Sequence, residues 1–151
     1  MKIEEAIKQD KFHNPLQKVV INLLYTANWV HNKHADFFKT YSITPQQFNI
    51  LRILKGQYPN KISASEIKSR MIDKNSDVSR LLDRLELKKL ISKTTCPSDK
   101  RATDVLITDD GLELLQRINK EQHQLESFIS LSDDQAEQLS NLLDQARNSQ
   151  D

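Results

Sequence analysis

Leu16, Val19, Val20, Leu23, Ala27, Val30, His34 and Phe37 recur three and four residues apart, which predicts one long amphipathic helix over about residues 15 to 40, opened near Pro15. A second apolar run follows Thr44-Pro45-Gln46-Gln47, which has the form of a capping box with Ile43 and Phe48 as its hydrophobic staple. A helix to about Gln57 is predicted there. The same grammar returns at Ser63-Ala64-Ser65-Glu66, with Ile62 and Ile67 as the staple pair, and predicts a short helix ending near Met71.

From Asn75 to Leu85 the apolar positions Val78, Leu81, Leu82 and Leu85 share one face, leaving Ser76, Asp77, Ser79, Arg80, Asp83 and Arg84 outward. Two short helices joined by a few polar residues, the second with small polar and arginine side chains outside, have the pattern of a helix-turn-helix. Leu90 to Thr94 and Asp104 to Thr108 read as two short strands joined by the polar, proline-containing loop Cys96 to Thr103, so a hairpin wing is expected directly after it. Thr108 is placed to cap a further helix running past Ile118 toward Phe128 and Ile129, and Ser132-Asp133-Asp134-Gln135 is another capping box, opening a last helix with Ala136, Leu139, Leu143 and Ala146 on one face.

The pattern therefore predicts a mainly α chain with a small β-hairpin wing, organised as one domain. A winged helix-turn-helix lobe would occupy residues 44–108, and a helical lobe residues 1–43 and 109–151. The terminal helices carry more apolar surface than one small core can bury, and a second copy of the chain is the expected partner.

Composition narrows the function. With 151 residues, 37% hydrophobic and 28% charged, and no apolar run near the ~18–20 residues of a membrane span, no membrane association is expected. Met1-Lys2-Ile3-Glu4-Glu5 lacks the order of a secretory signal, so the cytoplasm is the expected compartment. One cysteine, Cys96, leaves no disulfide framework or multi-cysteine metal cluster, and two glycines leave no phosphate-cradling loop. Net charge is +1, yet Lys61 to Asp104 holds eleven Lys/Arg against seven Asp/Glu, a surplus of +4, while Gly111 onward stands at −5. A basic middle suits a segment that meets a polyanion, although a charge run is often only a solvated face.

These residues resemble the MarR family of bacterial transcription regulators. Ile43 to Leu51 is similar to its second helix, Asn75 to Leu90 to its recognition helix, and Asp99-Lys100-Arg101-Ala102-Thr103 with Ile107-Thr108-Asp109-Asp110-Gly111 to its wing and the start of its dimer helix. The resemblance implies a homodimer that binds a pseudo-palindromic operator in double-stranded DNA, commonly a repressor released by a small anionic or phenolic ligand. Apart from the resemblance, the sequence holds no nucleophile elbow, convergent Ser/His/Asp set, metal motif or nucleotide loop, so no enzyme activity and no cofactor are expected. The rival reading is a winged-helix protein-interaction module without DNA-binding activity. The family often has glycine where this chain has Lys89, and lysine there predicts a different helix end.

Within that frame Arg101, with Lys100, sits near the wing tip, where a guanidinium can enter a narrow minor groove. Asp99 would orient Arg101 or Arg84, or serve simply as a turn aspartate. Arg80 suits guanine in the major groove, and Arg84 suits DNA or an ion pair with the neighbouring Asp83 and Glu86. Asn75, Ser76 and Ser79 suit phosphate or base-edge hydrogen bonds, as do Ser63 and Ser65, with helix capping the alternative. Trp29, His34, Phe37 and Phe38 could line a ligand cleft or belong to the core. His31 and His34 are three apart, but lacking further ligands they predict no metal site. Cys96 has no second thiol to support a redox switch.

Overall fold

The computed structural model describes residues 1–96 and 98–148; the side chains of Cys96, Lys100 and Arg101 lie outside the described part. Its order is α1 (Ile3–Ile7), α2 (Pro15–Lys39), α3 (Pro45–Gln57), β1 (Ile62–Ser63), α4 (Ala64–Arg70), α5 (Val78–Leu87), β2 (Ile91–Cys96), β3 (Asp99–Ile107), α6 (Asp109–Asn119), a 3-10 turn (Gln122–Leu125) and α7 (Asp133–Arg147). Met1–Glu121 forms one compact unit and Gln122–Asp151 another. Among the described residues no helix is long and apolar enough to cross a membrane.

Helix starts follow the side-chain caps. Thr44 Oγ1 accepts from the Gln47 N–H at 3.1 Å while Gln47 Oε1 accepts from the Thr44 N–H at 3.0 Å, closing the box at α3. Ser132 and Gln135 do the same for α7. At α4 only half the expected box forms: Ser63 accepts from the Glu66 N–H at 3.1 Å, but the Glu66 carboxylate turns to Arg70, 2.9 Å away. A charged partner one turn along outcompetes the neutral N–H.

Three expectations change. The helix after Thr108 stops at Asn119 and does not reach Phe128, since Asn119 to Gln124 offers no apolar residue to keep a buried stripe going. The wing strands are longer than predicted and reach to Cys96 and Asp99, because Thr94, Thr95 and Thr103 favour extended pairing even without alternating hydrophobicity. Finally, the hairpin is part of a three-stranded antiparallel sheet in the order β1-β3-β2, with Ile62 opposite Val105 and Ile91 opposite Ile107.

One core joins the first unit. Phe38 of α2, Ile50, Leu51 and Leu54 of α3, Ile67 of α4, Leu82 and Leu85 of α5, Val105 of β3 and Ile118 of α6 are all buried. At the end of α2, Tyr41 donates its hydroxyl to Glu121 at 2.6 Å, and this acceptor holds the phenol above its usual pKa.

Candidate nucleic-acid interface

Helix α5 begins later than expected. Asp77 is its N-cap, its carboxylate accepting from the Arg80 N–H at 3.2 Å, so Asn75 and Ser76 lie in the preceding turn and not on the helix. The Asn75 N–H binds Asp73 Oδ1 at 2.9 Å, an aspartate turn that competes with helix there. Ser76 Oγ is buried without a hydrogen-bond partner. Ser79, Arg80, Asp83 and Arg84 are exposed.

Among the described residues, neither the Arg80 nor the Arg84 guanidinium is held by a carboxylate. The acids flanking Arg84 are engaged elsewhere: Lys93 of β2 pairs with Asp83 and stands 3.8 Å from Glu86. Both arginines line a hollow of about 250 Å³ with Gln46, Asp73, Ser76 and Asp77. Ser63 caps α4 and lies 3.1 Å from the hydroxyl of Ser65, so both serines stand at the start of that helix. Lys100 and Arg101 belong to the first residues of β3, but their side chains, and with them the expected Asp99–Arg101 contact, lie outside the described part; Cys96 likewise.

Helix α5 ends in a way its sequence argued against. Lys89 takes φ 62°, in the left-handed region that glycine favours. The Leu90 N–H bonds to the Leu85 carbonyl at 3.1 Å and the Lys89 N–H to the Glu86 carbonyl at 2.9 Å, a Schellman motif closed by the buried pair Leu85 and Leu90. Lysine therefore adopts the glycine geometry, and the expected difference in the helix end is absent.

A larger cleft, about 560 Å³, opens between the end of α2, the start of α3 and the end of α5, with Lys39, Ile43, Pro45, Arg84, Leu87 and Lys88 among its walls. None of Trp29, His34, Phe37 and Phe38 lines it. Phe37 and Phe38 are in the core, Phe38 stacked on Phe48 at 4.4 Å and edge-on to His34, because the last turn of α2 turns that face toward α3. Sequence reasoning missed Lys39 and Lys88, whose meeting is a tertiary fact. It also missed Lys93, for which a signal existed: two residues after the buried Ile91, it shares that side of the strand.

Residues 43–103 match the MarR family. Over 94 residues the chain is 27% identical to the transcriptional regulator PapX of Escherichia coli, covering 62% of this chain and 57% of PapX, and over 105 residues 29% identical to PecS of Dickeya dadantii, covering 68% and 63%. It thus spans less than two thirds of the length of either relative. MgrA of Staphylococcus aureus is 26% identical over 132 residues, covering 87% of this chain and 88% of MgrA. Among solved structures, the MarR transcription factor of Planctomyces limnophilus has a TM-score of 0.68 at 26% identity, covering 89% of this chain and 98% of that one. S. aureus MepR, solved with DNA, has 0.69 at 23%, covering 84% and 94%. Bordetella bronchiseptica BpsR has 0.69 at 20%, covering 84% and 99%. The match to the MarR family thus runs through the helix-turn-helix and wing, residues 43–103, and the fold is similar to that of the Planctomyces limnophilus MarR transcription factor across 89% of the chain.

Proposed function

We propose that the protein is a homodimeric, sequence-specific DNA-binding transcription regulator, acting as a repressor that leaves its operator when a small anionic or phenolic molecule binds. The observation that carries this reading is the outward face of α5, where Arg80 and Arg84 are exposed while Asp83 and Glu86, the acids flanking Arg84, are engaged by Lys93. Arginine in that position suits guanine edges and phosphates. The DNA complex of MepR and the regulation of BpsR's DNA binding by 6-hydroxynicotinic acid support the same direction. The cleft with Lys39, Arg84 and Lys88 offers cations and apolar walls to such a ligand.

Dimerisation is supported by α2, which in the single chain exposes Leu16, Val19, Val20, Leu23 and Leu24, and by Leu139 and Leu142 of α7. A gel shift with duplex from the upstream region of its own gene tests the proposal. Binding that weakens with salt and covers two half-sites is expected; no binding to any duplex would return the assignment to a protein-interaction module.

A further inference from the structure

Three charges meet where the wing leaves the recognition helix. Lys93 Nζ pairs with Asp83 and lies 3.8 Å from Glu86, and the Lys93 backbone N–H donates to Glu86 Oε2 at 3.2 Å. The lysine is the most enclosed of the three, its side chain 21% exposed against 67% for Asp83 and 46% for Glu86. It is thus spent on the helix and not extended outward. Between Val78 and Leu87 the helix carries Arg80 and Arg84 against Asp83 and Glu86, no net charge, so whether it attracts or repels a polyanion rests on what offsets those two carboxylates.

We infer that Lys93 is a positioning residue for DNA recognition: it neutralises Asp83 and Glu86 and ties the base of the wing to the recognition helix, so that Arg80 and Arg84 meet DNA without two opposing carboxylates. This rests on the DNA-binding reading. Lys93 acts through the two acids and makes no phosphate contact of its own.

The test is a double-mutant cycle on the full chain, read as affinity for one duplex across a salt series. Lys93→Met should weaken binding about tenfold, but less than about twofold when Asp83→Asn and Glu86→Gln are already present, since nothing then remains to neutralise. The slope of affinity against salt should stay constant, whereas loss of a direct phosphate contact lowers it by about one. Lys93→Gln is carried through in parallel, with circular dichroism, so that a folding defect in one variant leaves the cycle readable. Equal losses in both backgrounds, a reduced slope, or no loss at all would overturn the role of Lys93 while DNA binding stands. Failure of the unaltered protein to bind any duplex would overturn both.

Discussion

Lys89 holds a left-handed conformation that disfavours any residue with a Cβ, and the Schellman hydrogen bonds on either side keep it there. Lys89→Gly should therefore raise stability by about 0.5–1 kcal/mol in urea unfolding, an unusual gain for a change to glycine. Gly111 presents the opposite case. A Cβ there would stand 2.4 Å from the Leu90 carbonyl oxygen and 2.6 Å from Ile107 Cγ1, closer than packed atoms allow. Overpacking costs about 1–3 kcal/mol, more than the roughly 1 kcal/mol that alanine gains over glycine in a helix, so Gly111→Ala should lower the unfolding midpoint. Arg80 has no such structural role. Arg80→Ala should leave folding intact and lose about 1–3 kcal/mol on the cognate operator, with discrimination relaxed at one symmetric pair of base positions. Uniform loss on every sequence would reduce Arg80 to a phosphate contact.

Element boundaries divide into those set by local chemistry and those set by contact. Thr44, Ser63, Thr108 and Ser132 announce their helices because a side-chain oxygen three residues before an N–H is a local event. The two residues of β1 carry no pattern of their own, and pair only because Val105 and Asp104 arrive opposite them. Arg80 and Arg84 are both exposed, and their outward placing on α5 was legible from helical spacing. The cleft was not, since its walls come from α2, α3 and α5 and no periodicity links them. Asp77 shows how a local cap shifts a helix boundary: by starting α5 at Val78 it assigns Asn75 and Ser76 to the turn. Asp77→Ala should cost about 1 kcal/mol of stability, measured by thermal unfolding.

For the whole molecule, the distribution of charge matters more than its sum. Two copies of the +4 segment would displace counterions over about 6–10 phosphates, and affinity should fall roughly 10³–10⁵-fold between 50 and 200 mM salt. A flat response in anisotropy titrations would remove phosphate from the account. A homodimer twice the 17.5 kDa chain should set its recognition helices ~34–36 Å apart, one turn of duplex.

Leu90 joins these scales. Its N–H closes the recognition helix, its carbonyl accepts the Thr108 N–H at 3.1 Å, and the carbonyl of Lys89 just before it takes the Thr108 hydroxyl at 2.8 Å, against a Gly111 that admits no spacer. Mechanically this is a rivet through three plates: α5, the two wing strands and α6 share one fastening. A tilt of the first few residues of α6 would therefore pull on the same bonds that close α5, the helix that carries Arg80 and Arg84.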